Sequence, residues 1–214
     1  YNHLNVETGG EYAIVGSYNS QVINNTVIGC KVIATGAGIS VIDNSVVEHN
    51  WINISSKGRG ITAAGSNVTI KDNVVITESG SGIYEKDEGS RLLVDGNNIT
   101  SVSGVGILIE KLSSKRMPKD VTVTNNIIST GNKVAIDASG VKEDTSNIDL
   151  KSNEVFKKEI ILPSGKIDTS KPTYIYTGGK TITITPANIR EYINDNGGLT
   201  SEIKDGDILN FQGT

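Results

Sequence analysis

Seven asparagines, Asn2, Asn25, Asn50, Asn73, Asn97, Asn126 and Asn153, are each followed two residues later by an aliphatic side chain. The partners are Leu4, Val27, Ile52, Val75, Ile99, Ile128 and Val155, and the intervals between asparagines are 23, 25, 23, 24, 29 and 27 residues. Self-similarity at this period marks a stacked-repeat architecture, in which each unit buries its apolar face only against its neighbours. Hydrophobic residues make up 36 % of the chain, a low share for a globular core. A column of rungs needs only a few aliphatic residues per unit, so the low share is no obstacle.

A second signal is registered with the first. A small residue precedes an isoleucine at Ala13-Ile14, Gly38-Ile39, Gly60-Ile61, Gly82-Ile83, Gly106-Ile107 and Ala135-Ile136. From that isoleucine to the next asparagine the gap is 11, 11, 12, 14, 19 and 17 residues, so later units carry insertions at one site. Alternation such as Val68-x-Ile70 and Val121-x-Val123 is strand periodicity with one apolar face. Short strands separated by Asn and Gly corners, about 24 residues per turn, describe a parallel β-helix. Rungs about 4.8 Å apart would make seven of them a rod about 30 Å long. The ladder asparagines are expected at corners, tolerating a left-handed backbone and bonding to one another along the axis. Gly36-Ala37-Gly38 and Gly80-Ser81-Gly82 are expected to make another corner, where positive φ is cheap for glycine.

The asparagine and small-residue signals over residues 1–162 resemble the right-handed parallel β-helix repeats of the pectin-lyase-like superfamily. The expected fold is therefore all-β: a right-handed parallel β-helix of about six to seven coils over residues 1–162, then a small α+β capping segment. A linker follows at 163–172, with Pro163-Ser164-Gly165 and Thr169-Ser170-Lys171-Pro172 as turn chemistry. The cap at 173–214 reads as strands Tyr174-Ile175-Tyr176 and Thr181-Ile182-Thr183-Ile184, a short helix and a final strand at Ile208-Leu209. Thr185-Pro186 supplies the helix start, Ile189, Tyr192 and Ile193 its apolar stripe, and Asn196-Gly197-Gly198 its end. Such a segment either closes the coil already built or opens a further β-helix. The chain begins inside a repeat, at Tyr1-Asn2-His3-Leu4, and reads as part of something longer.

The run Thr183-Ile184-Thr185-Pro186 through Asp205-Gly206 to Phe211-Gln212-Gly213 resembles a block of the adhesin-like surface proteins of methanogenic archaea. That resemblance implies a secreted, wall-associated module in which Asp205, Gly206 and Gly213 are turn residues of the cap. It departs from the family at Ile193, where an aromatic residue is expected. The leading expectation is a non-catalytic extracellular rod presenting a binding surface to wall or cell-surface glycans, or to surface proteins of another cell. Sequons at Asn24, Asn53, Asn67 and Asn98 agree with a surface location but arise easily in Asn- and Thr-rich strands.

An enzymatic alternative is a polysaccharide lyase or glycoside hydrolase of the same fold. Hydrolysis needs carboxylates placed around one bond, and a lyase needs a base and a cationic partner. The paired aspartates, Gly-His-Gly and Arg-x-Lys of that fold's hydrolases do not occur as strings here. No catalytic residue is assigned; the candidates for this alternative are Glu78, Glu85, Asp87, Glu110, Arg59 and Lys111. A third possibility is a structural unit of a surface layer, filament or phage fibre, with self-association.

Two places carry the candidate binding residues. Trp51 occupies the x of Asn50-x-Ile52 and should point outward, as a sugar platform or covered by a neighbouring loop. The insertions Glu85-Lys86-Asp87-Glu88, Glu110-Lys111 and Lys115-Arg116, with Lys142-Glu143-Asp144, fall on one side of successive coils. They form either a binding face or a set of surface ion pairs. Glu85, Asp87 and Glu88 could hold calcium but lack an EF-hand pattern, so no cofactor or metal site is assigned. His3 and His49, beside ladder asparagines, read as structural or solvent-facing. Cys30 is alone in an apolar strand and reads as a small buried hydrophobe. A net charge of −4 without a basic run argues against nucleic acid, and no window reads as a membrane span.

Overall fold

The computed structural model describes residues 3–5, 10–30, 32–86, 89–111, 117–141, 147–148, 152–155, 159–161, 167–168, 181–184, 188 and 208–211. The chain divides into two compact units, Tyr1–Thr173 and Tyr174–Thr214. In the first, the strands are dealt in rotation to three sheets. Sheet I contains His3–Asn5, Thr26–Cys30, Trp51–Ile54, Val74–Thr77, Asn98–Ser101, Ile127–Thr130 and Glu154–Val155. Sheet II runs from Gly10–Gly16 through Val32–Val41, Arg59–Ala63, Ile83–Lys86, Ile107–Glu110 and Val134–Asp137 to Glu159–Ile161. Sheet III runs from Gln21–Ile23 through Val46–Glu48, Val68–Lys71, Ser90–Asp95 and Lys119–Thr124 to Asn147–Ile148. Every pairing is parallel except that of Glu159–Ile161 with Ile167–Asp168. This is the parallel β-helix expected. About five turns are described rather than six to seven coils, because the terminal coils lie partly outside the described residues.

Three aliphatic columns fill the interior. Leu4, Val27, Ile52, Val75, Ile99, Ile128 and Val155 stack in sheet I. Ile14, Ile39, Ile61, Ile83, Ile107 and Ile136 stack in sheet II, and Val22, Val47, Ile70, Val94 and Val123 in sheet III. Aliphatic side chains one rung apart repeat the same packing arrangement, so each coil buries its apolar face against the next.

The asparagine ladder is continuous from Asn25 to Asn153. Asn25 Nδ2 donates to Asn50 Oδ1 at 3.0 Å, and the same bond recurs at 3.0, 3.0, 3.0 and 2.8 Å up to Asn153. Each Oδ1 also accepts the backbone N–H of the preceding ladder residue, at 2.8 to 3.0 Å. The amides are buried, and their carbonyl and amino halves are both in use, which only a carboxamide can achieve. Asn2 lies outside the described residues.

The corners differ from expectation in one respect. The left-handed residue is the one before the ladder asparagine in the five coils from Asn25 to Asn126: Asn24, His49, Asp72, Gly96 and Asn125, with φ of 57°, 55°, 52°, 66° and 56°. A second left-handed column, Asn19, Asn44, Asn67, Arg91 and Asp120, leads into sheet III. The glycines of the second sequence signal have ordinary φ and are small for packing. A Cβ on Gly38 would stand 2.8 Å from Ile52 Cγ2. Likewise Gly60 faces Val75, Gly82 faces Ile99 and Gly106 faces Ile128, each inside contact distance. The small residue is therefore the hole into which the aliphatic partner of the next ladder asparagine fits. Hydroxyls complete the same corner: Thr77 Oγ1 and Ser101 Oγ donate to the Gly80 carbonyl at 2.8 and 3.0 Å.

In the second unit, Thr181–Ile184 pairs in parallel with Ile208–Phe211. The expected helix, the strand at 174–176 and the linker at 163–172 fall outside the described residues, apart from the short strand Ile167–Asp168.

Candidate functional site

Alternation along Ile83–Lys86 sends Ile83 and Glu85 inward and Tyr84 to the outer row of sheet II. In that row Tyr84 pairs with Thr62 on one side and Leu108 on the other. The Arg59 guanidinium lies over its ring, 3.7 Å from the centroid, and donates through Nη1 to the Thr35 carbonyl at 3.0 Å. Glu110, two residues beyond Leu108 on the next strand, is the diagonal neighbour of Tyr84. Its Oε2 accepts the phenol hydroxyl at 2.6 Å. Tyr84 is only 4 % exposed although it belongs to the outer row. Burial pushes the phenol well above its ordinary 10.0, the hydrogen bond to Glu110 adds to the rise, and Arg59 opposes it. At neutral pH Tyr84 is thus a neutral donor clamped between a cation and a carboxylate, not a base.

Glu85 stands differently from the expectation that it begins an outward loop. It is 1 % exposed and occupies the inward column Val41, Ala63, Glu85, Ile109. Its carboxyl and that of Glu110 therefore lie on opposite faces of sheet II. Asp87 and Glu88 lie outside the described residues, as do 112–116 and 142–146, which carry the remaining insertions. Lys111 and Glu78 are exposed, and Glu110 is exposed while accepting from Tyr84. Of the six residues weighed for an enzyme, the structure gathers Arg59 and Glu110 around Tyr84. Tyr84 itself was missed, although strand period counted from Ile83 places it on the outer row.

Trp51 lies on the outer face of sheet I and is 47 % exposed. Its row, in register across successive coils, is Thr26, Trp51, Val74, Asn98, Ile127 and Glu154. Val74 and Ile127 are exposed as well, and Asn53 projects half-buried from the next outward position of the Trp51 strand. The result is an indole on a flat face with aliphatic and amide neighbours. His49 is an exposed corner residue, whereas the backbone of His3 falls in the row of Thr26, so the two histidines are not equivalent. The side chains of His3 and Cys30 are outside the description.

Among the described residues, no helix is long and apolar enough to cross a membrane. No curated protein and no solved structure matches the chain. A family model described as a right handed beta helix region matches residues 12–189. With the three-sheet topology this supports the pectin-lyase-like kind of parallel β-helix, and the chain belongs to the right-handed β-helix family.

Proposed function

We propose that the chain is a non-catalytic, extracellular adhesin-like module whose sheet I face binds glycans through Trp51. The observation carrying this reading is the exposed indole in an in-register outer row, flanked by Thr26 and Val74, with Asn53 one outward position along. An aromatic face stacks on the C–H side of a pyranose ring while amides and hydroxyls meet its hydroxyl groups. The resemblance of 183–213 to methanogen surface proteins supports an extracellular wall setting.

The chain contains one tryptophan, so its indole emission reports this face directly. Titration with neutral and uronate-containing oligosaccharides is expected to shift that emission. Trp51→Ala should weaken binding at least about tenfold with the melting temperature unchanged, as for an anchor at the centre of a contact. Absence of any spectral change or binding across the panel would sink the proposal. The enzymatic reading has one observation in its favour, the grouping of Arg59, Tyr84 and Glu110 on the outer face of sheet II. Release of new sugar ends from the same panel, abolished by Glu110→Gln, would establish it instead.

A further inference from the structure

The left-handed corner column carries Asn24, His49, Asp72, Gly96 and Asn125 on successive coils. At one level, Glu48, His49 and Asp72 bring one imidazole nitrogen and two carboxylate oxygens within 4.8 Å of one another. His49 Nε2 is 3.6 Å from Glu48 Oε1. The main chain beneath them is fixed. The Glu48 carbonyl accepts from Asn50 Nδ2 at 3.0 Å and from the Asn24 N–H at 3.1 Å, while the His49 N–H donates to Lys71 O at 3.2 Å.

We propose that Glu48, His49 and Asp72 form a three-ligand site for a divalent cation of the zinc class. Bonds of about 2.0–2.2 Å to nitrogen and oxygen place tetrahedral ligand atoms about 3.3 Å apart. The His49–Glu48 separation is a few tenths of an ångström from that, and rotation of the exposed Asp72 side chain closes the rest. The imidazole separates this site from a purely acidic patch: calcium and magnesium take oxygen ligands, whereas a nitrogen donor selects zinc and its transition-metal neighbours. Lys71 is the competing cation, with Nζ 3.7 Å from Asp72 Oδ2, both side chains well exposed. Such a pair contributes little, so a divalent ion displaces it at small cost. Three protein ligands leave a coordination position for water or for an oxygen of a bound partner. Because Glu48 and His49 belong to one coil and Asp72 to the next, the ion ties two coils together across their corner.

Calorimetric titration of the chelator-stripped chain with Zn2+ tests this. One Zn2+ per chain is expected at micromolar concentration, with Ca2+ binding far more weakly. His49→Asn and Asp72→Asn keep residues suited to the left-handed corner, and Glu48→Gln lies outside it. Each should weaken binding at least about tenfold, since even outer-shell changes lose that much. His3→Asn should change nothing, and the metal-free melting temperatures should match. The proposal is overturned if the parent chain binds no Zn2+ at that concentration, or binds Ca2+ equally well. Full affinity in His49→Asn, or an equal loss in His3→Asn, would overturn it too.

Discussion

A single position explains why alternation matters more than charge in this chain. Glu85 sits in a run of four charged residues that reads as a solvated loop, yet it is two residues beyond the inward Ile83. Its equivalents in neighbouring coils are Ala63 and Ile109, both buried. Strand period therefore placed it inside, and the charge pattern misdirected the reading. Tyr84, between Ile83 and Glu85, has a measurable signature. The folded protein holds its phenol proton to higher pH than the unfolded chain does, where the value is about 10.0. Above that value the native state binds more protons than the unfolded state, so stability falls as pH rises. Urea midpoints measured between about pH 9 and pH 11 should drop, and the drop should be smaller in Tyr84→Phe. Equal slopes in the two proteins would mean that the phenol is not held.

Elements follow from two sequence signals that turn out to be one device. The ladder asparagine and its aliphatic partner were legible, as were the strand registers, because both recur at the repeat period. The purpose of the small residue before isoleucine was not, since glycine suits a left-handed corner and a close approach equally well in a sequence. Only the positions of Ile52, Val75, Ile99 and Ile128 decide for packing. Conversely, the left-handed residues before the ladder are Asn24, His49, Asp72, Gly96 and Asn125, which share no single identity that a pattern could find. Gly82→Ala tests the packing role. The new Cβ would meet Ile99 Cγ2, which can shift, and the Gly106 carbonyl, which cannot. Overpacking of this kind costs about 2 kcal/mol, read from denaturant midpoints. Adding Ile99→Val should restore little of it, since valine loses only Cδ1, so the Cγ2 methyl and the Gly106 carbonyl both remain. A neutral Gly82→Ala would show that the hole is not tight.

At the scale of the first unit, every coil repeats the same contacts with its neighbours, so coils are interchangeable in a way residues of a globular core are not. Excision of residues 73–96 removes one ladder interval of 24 and joins Asp72 to Asn97. Asn50 then bonds to Asn97 where it had bonded to Asn73, and Ile52 stacks on Ile99. The shortened chain should keep its strand-type circular dichroism per residue and unfold at a lower temperature. It also retains Trp51, Glu48, His49 and Asp72, so glycan and zinc binding by it would place both activities outside the excised coil. Loss of strand signal would mean that the coils are not equivalent. What the repeat hid at this scale is which outer face matters, because outward side chains carry no periodic constraint and Trp51, Val74 and Ile127 share only a row.

The ladder also has a sense of direction. Each carboxamide donates to the asparagine that follows in the chain and accepts from the one that precedes it. The side-chain carbonyls therefore all point toward the earlier coils, and their dipoles add like those of an aligned helix. A neighbouring coil, of this chain or another, can continue the column only with the same orientation. Reversed, it would set acceptor against acceptor, so the bonding pattern behaves as a one-way coupling that permits head-to-tail stacking and rejects head-to-head.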